Sequence, residues 1–218
     1  MFSTPKRQEI DHRTIKLIVG LIALSLASLT SSFASTTITS ISASYYEGGW
    51  SQSIFIGFLF AISAFLLAYN GNSRSEMIWS KVAAVAGLGI ALFPCKCGNH
   101  AEIIPYAHEI AAAAMFLILA YFCFGFHRRA KAKGYAQATT RAYLYALCGI
   151  AILVAIAAVV FDSWSGGVLS SRIPRLTFYA ERTALIAFGI SWLLASRVVP
   201  LLTRQDERFS PLRDVNPS

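Results

Sequence analysis

The sequence predicts an all-α fold: a polytopic transmembrane bundle of six helices with both termini cytoplasmic. Three observations predict it. The 218 residues are 56% hydrophobic and only 14% charged, against about a quarter charged in an ordinary soluble domain, and the mean hydropathy is +0.55. Six long apolar runs recur along the chain, each bounded by charges, Gly or Pro. Lysine and arginine gather in alternate connections between those runs. A spanning helix needs about 20 apolar residues, so six take roughly 120 and leave about 100 for tails and short loops. No sizeable soluble domain fits in that remainder. The composition also excludes disordered, collagen-like, coiled-coil and disulfide-scaffold chains.

The runs are 14–33, 51–69, 78–94, 103–126, 142–161 and 176–197. They organise the chain into a basic tail over 1–13, a six-helix membrane domain over 14–197 and a second cytoplasmic tail over 198–218. Each run reads as a helix, because a membrane β-strand would alternate apolar and polar residues over about 10 positions, and stretches such as 150–160 do not alternate. In the first run, a basic start, the apolar stretch 17–29 and then Ser32-Phe33-Ala34 also fit a secretory signal that would leave a chain beginning at Ser35. The length of that stretch, and the absence of charge after it until Glu47, favour an uncleaved helix.

Orientation follows from the cations. Lys6, Arg7, Arg13 and Lys16 precede or open the first run, Arg74 and Lys81 follow the second, five lie between the fourth and fifth, and four close the chain. That side holds 15 of the 19 Lys and Arg. The other side holds Lys96, Arg172 and Arg175, and Arg182 lies inside the last run. The positive-inside rule then makes both ends cytoplasmic. The net charge of +8 is thereby a topology signal, with basic loops set against anionic head groups. Spread over four segments, it predicts no nucleic-acid partner.

Most of the unusual polar residues fall on the outer side. The first outer loop carries Ser40, Ser42, Tyr45, Tyr46, Glu47 and Trp50, and the second carries Cys95, Cys97, His100 and Glu102. Just inside lie His108 and Glu109 in the fourth run and Glu181 and Arg182 in the sixth. At about 1.5 Å per residue, His108 and Glu181 sit at matching depth, roughly 7.5 Å below the outer face. Ionisable groups in hydrocarbon are costly and usually face a partner or a watery cavity. The pattern therefore predicts an outward-facing polar pocket among helices four, five and six, capped by the Tyr45–Tyr46 loop, with His108 and Glu181 facing each other. Tyr45, Tyr46, His108, Glu109, Glu181 and Arg182 are its ligand-binding candidates. Plain structural hydrogen bonding of the same residues is the competing reading. Small residues such as Gly20, Gly57, Gly87, Gly89, Gly149 and Gly189 are expected to let helices approach closely.

Cys95, Cys97 and His100 could hold a soft metal, but the string lacks a matching second half, and in an outer, oxidising position the two thiols could pair or be capped instead; that the string has no special role is the remaining reading. No metal and no cofactor is expected. His108-Glu109 lacks the second histidine of a zinc protease. Only one histidine was assigned to a span, too few for haem held between helices, and Lys81 at the edge of its span argues against a retinal pigment.

Ser40-Ile41-Ser42-Ala43-Ser44-Tyr45-Tyr46, Phe55-Ile56-Gly57, Ala91-Leu92-Phe93-Pro94, His108, Cys148-Gly149 and the run Glu181 to Trp192 together resemble a family of bacterial multi-pass membrane proteins without an assigned activity. The resemblance covers residues 40–192. It implies a Ser-Ile-Ser-x-Tyr-Tyr segment after the first helix, a histidine opening the fourth and a glutamate opening the last, which places Tyr45, Tyr46, His108 and Glu181 at family positions. Gln52-Ser53 stands where the family often has Arg-Asp, and the Cys95/Cys97 pair is not a family feature. A more distant likeness to the membrane hydrolases that include alkaline ceramidases implies several zinc histidines, and this chain offers one.

The expected function is accordingly that of a bacterial inner-membrane protein binding a lipid head group or small solute in an accessory role. Its expected partners are membrane lipids and that ligand, with a homo-oligomer open. One alternative is an intramembrane hydrolase or transferase in which His108 is the general base, Glu181 its orienting acid and Tyr45 or Tyr46 a substrate donor. Another is a small transporter, but Pro94 and Pro105 flank a loop and break no span, and the two halves share no repeat.

Overall fold

A computed structural model of the chain describes residues 11–98 and 100–210. Among them, six α-helices and three short 3-10 turns form an all-helical bundle. The helices are α1 (His12–Ser32), α2 (Gly49–Ala68), α3 (Arg74–Leu92), α4 (Ala107–Lys131), α5 (Ala136–Trp164) and α6 (Leu176–Ala195). Five of them, α1 to α5, are long and apolar enough to cross a membrane. α6 is as long as α2 but carries Glu181 and Arg182 and is less apolar.

Local chemistry moves several helix ends away from the edges of the apolar runs. α1 starts at His12 because the Asp11 carboxylate accepts the Arg13 N–H at 2.9 Å, satisfying one donor that a helix start leaves free. α3 begins four residues before its apolar run because Ser73 caps it through the Glu76 N–H. α4 begins at Ala107, behind Pro105 and a left-handed Tyr106, and then runs past its apolar stretch through Arg128, Arg129 and Lys131, whose charges suit a helix C-terminus. α5 spans 29 residues, about 43 Å at 1.5 Å per residue, and so exceeds a hydrocarbon core of about 30 Å.

Each helix packs on the next in sequence, and α6 returns to α1, closing a ring in which α6 also touches α4. α1 and α6 meet most closely at Gly20 and Gly189: a Cβ on either would lie within 3.0 Å of the other helix's backbone oxygen. Gly89 lies against Ala111, and Gly149 accommodates the Phe124 ring. Gly57 differs from expectation, since nothing lies within 4 Å of where its Cβ would be, and no close approach requires it.

The end where α1 begins and α6 ends also holds the α2–α3 and α4–α5 connections. Its core is aromatic. Fully buried Trp192 of α6 lies beside Tyr69, Phe122, Phe126 and Phe188, with ring centroids 5.1 to 6.2 Å away. Segment 198–210 folds back over this end. Buried Arg141 donates to the Leu202 carbonyl, and Glu207 takes bonds from Lys133, Tyr135 and Arg141. Nearby, buried Glu76 pairs with Arg129 and accepts the Asn72 N–H.

Candidate functional site

The opposite end is built around the α1–α2 connection, which folds inward. Ile38, Ile41, Ser40, Ser42 and Ser44 are all buried, and a 3-10 turn over Ser42–Tyr46 presents them to the bundle. Ile38 and Ile41, in a stretch from Ser35 to Tyr46 that carries no charge, account for this, since their burial removes apolar surface from water. The segment also completes α6. The Thr39 carbonyl accepts the Phe178 N–H at 3.1 Å, and the Ile38 carbonyl accepts Arg175 Nε at 2.8 Å, so a first-turn N–H of α6 gains a partner that the helix itself cannot supply.

Into this seam project the two residues singled out by the sequence. The half-buried Glu181 of α6 accepts the Ile41 and Ser42 N–H groups on Oε2 and the Ser42 hydroxyl on Oε1 at 3.0 Å. Buried His108 of α4 contacts the same Ser42 Oγ through Nε2 at 2.9 Å, while its Nδ1 meets the Phe93 carbonyl at 2.8 Å. His108 and Glu181 are thus joined through Ser42, which stands between them. His108 lies in the first turn of α4 and not a turn and a half inside it, because Pro105 and Tyr106 delay the helix start.

Hydrogen counting defines what this chain can hold. A carbonyl only accepts, so Nδ1 carries a hydrogen. The Nε2–Oγ and Oγ–Oε1 links need two more, and the Ser42 hydroxyl supplies one. The second must sit on Nε2 or on Glu181, so the links are complete only with one proton beyond those of a neutral imidazole and a carboxylate.

Around this centre, Tyr46 donates its hydroxyl to the Cys95 carbonyl at 2.9 Å, stacks on His100 with centroids 3.9 Å apart, and packs edge-on against Tyr45. Cys95 and Cys97 are joined by a disulfide. His100 is therefore stacked beside two cysteines that are bonded to each other. Glu109 and Arg182 are exposed and make no polar side-chain contact among the described residues. Glu47 fastens the start of the connection. The hydroxyls of Thr36 and Ser35, together with their N–H groups, hold its carboxyl at about 2, well below its ordinary value of 4.5.

The structure thus gathers Tyr45, Tyr46, His108 and Glu181 at one end and leaves Glu109 and Arg182 on the outside. Sequence reasoning missed Ser42 and the Phe93 carbonyl as the partners that link the cluster. The available signal was Ile38 and Ile41, which mark the connection as folded inward.

No family model matches this chain, and no curated protein or solved structure matches it.

Proposed function

We propose that the chain is a bacterial inner-membrane protein of the resembled family, that all six helices cross the bilayer, and that both ends are cytoplasmic. α6 packs on α1 and α5 with eleven of its twenty residues buried, so Glu181 need not face lipid. Arg182 can snorkel from the outer end. The function is binding of a lipid head group or small solute in an accessory role at the outer cluster. One observation carries this reading: Ser42, His108 and Glu181, from three separate segments, converge in one hydrogen-bonded cluster, on the connection that also carries Tyr45 and Tyr46. Displacing the Ser42 segment frees an imidazole and a carboxylate together, a pair suited to a ligand that offers a hydroxyl or an amine.

Native mass spectrometry of the full chain, released from its membrane, should retain a bound lipid or solute. His108→Ala and Glu181→Gln should each lose it. Retention in both variants overturns the outer-site reading.

A second reading has its own observation. Ser42 Oγ lies 2.9 Å from His108 Nε2, the reach of a nucleophile and its base, and the Phe93 carbonyl orients the imidazole from the other side. Glu181 binds the serine and not the imidazole, unlike the acid of a Ser-His-Asp triad. Hydrolysis of an ester or amide lipid, lost in both Ser42→Ala and His108→Ala, would select the enzyme.

A further inference from the structure

At the end of the bundle opposite His108 and Glu181, a cavity of about 420 Å³ opens between the start of α1, the end of α4 and the segment after α6. Among the described residues its walls carry five cations, Arg13, Lys16, Arg129, Lys133 and Arg197, against three carboxylates, Asp11, Asp206 and Glu207, for a net charge of +2. Behind the wall, Glu76 on Arg129 and Arg141 on Glu207 cancel each other in charge.

The carboxylates are already committed. Asp11 caps α1, Asp206 pairs with Arg204, and Glu207 takes Lys133, Arg141 and Tyr135 and forms a longer ion pair with Arg197. Several donors are not. Lys16 is 8% exposed, lines the cavity and has neither a hydrogen bond nor a carboxylate partner among the described residues; its ammonium rests 5.3 and 5.4 Å from the Tyr69 and Phe126 rings. Arg129 Nη2 is buried without a hydrogen-bond partner among the described residues, and Arg197 Nη1, also buried and without a hydrogen bond there, has Glu207 Oε2 at 3.7 Å as its ion-pair partner. The Arg129 guanidinium lies 5.2 Å from the same Phe126 ring that Lys16 approaches. Two cations held beside one ring repel each other, and an unpaired buried cation is costly. An anion in the cavity removes both penalties.

We propose that this cavity binds a phosphoryl group, with its oxygens met by the Lys16 ammonium and the Arg129 and Arg197 guanidinium groups that line it. A phosphomonoester carries about −1.5 to −2 at neutral pH, which matches the +2 of the described lining, and its three terminal oxygens suit three cationic side chains supplied by three separate elements. A carboxylate brings one charge and leaves a donor unmet. The volume admits more than the phosphoryl group, so the group is the anchor of a larger solute or of a lipid head. This site is independent of the outer cluster and stands or falls separately.

The test uses the full chain in detergent and in phosphatidylcholine nanodiscs with and without phosphatidic acid. Unfolding temperature is followed against added inorganic phosphate, with acetate as the comparison anion. Saturable stabilisation by phosphate points to a soluble ligand, and stabilisation only by phosphatidic acid points to a lipid. In either case Lys16→Met and Arg197→Gln should weaken the effect by about tenfold or more, the loss of a hydrogen bond to a charged group. Without ligand, Lys16→Met should unfold at the same or a higher temperature, because it removes an unpaired charge. His108→Ala should leave phosphate binding intact, which separates this result from that of the outer site. The proposal is overturned by no saturable effect from either source, by equal stabilisation with acetate, or by undiminished binding in both folded variants.

Discussion

Ser42 has no charge and no unusual chemistry, yet its hydroxyl is the contact through which α4, α6 and the α1–α2 connection meet. Ser42→Ala leaves His108 Nε2 and Glu181 Oε1 without their shared partner in a buried seam. The expected loss is about 1–3 kcal/mol, the cost of leaving a buried polar group unsatisfied, read as a lower unfolding temperature in detergent. Full stability in the variant would show that the seam does not depend on this bond. Glu181 and His108 could be found in the sequence because ionisable groups in apolar runs announce themselves by their cost. Ser42 was visible only as one of several polar residues in its loop, and its role as the link was not, since serine in a connection costs nothing until the fold buries it. Cys95 and Cys97 could be read as neighbours able to pair, whereas the stacking of His100 on Tyr46 depends on a chain path that spacing alone does not give.

At the scale of elements, the apolar runs located all six helices, and the ends shifted wherever a cap or a backbone turn outweighed hydropathy. Ser73 lengthened α3, and Tyr106 delayed the start of α4. The glycines separate packing from composition. Gly189→Ala places a methyl against Leu24 and the Gly20 carbonyl, and should destabilise by about 1–3 kcal/mol as an overpacked contact. Gly57→Ala, with open space around it, should be neutral or stabilising by up to about 1 kcal/mol, the helix preference of alanine over glycine. Equal effects at the two positions would refute the α1–α6 crossing.

The closing segment is a second element with its own test. Burial works against the charge of Glu207, but bonds from Lys133 and Tyr135 and the nearby Arg197 hold its carboxyl at about 2, below its ordinary 4.5. A lowered carboxyl stabilises the docked segment fully above pH 4.5, and that contribution is lost as pH falls through about 2. Pepsin cleavage at Phe209 should therefore accelerate on acidification more steeply than in an unfolded control. Glu207→Gln should abolish the difference. A flat pH response in the unaltered chain would mean that Glu207 does not hold the segment. The sequence assigned 198–218 to a tail because nothing in its composition reveals a docking surface. Arg141, fully buried beneath it, is legible as a partner only once α5 is known to extend down to Ala136.

For the whole molecule, the two ends have different chemistry. One is a seam of serine, histidine and glutamate under tyrosines, and the other is a cavity rich in cations over an aromatic core. The charge pattern in the sequence anticipated an end rich in basic residues, but assigned those residues to loops facing lipid head groups and left the cavity between them unseen. If all six helices cross the membrane, Lys131→Cys should react with an impermeant maleimide only after the membrane is opened. Ser171→Cys should react in intact spheroplasts. Labelling of both from the same side would leave α5 short of crossing.

The pairing of α1 with α6 also bears on how the molecule is made. Of the six helices, α1 is made before the others yet finds one of its partners in α6, which is made after them. Until residue 195 has been synthesised, the face of α1 around Gly20 has no α6 to cover it. A chain truncated before α6 would carry that face uncovered, together with an α1–α2 connection lacking the glutamate that fastens it. Closure of the ring thus waits until α6 has been synthesised, and products that stop short of it are open along the α1–α6 seam.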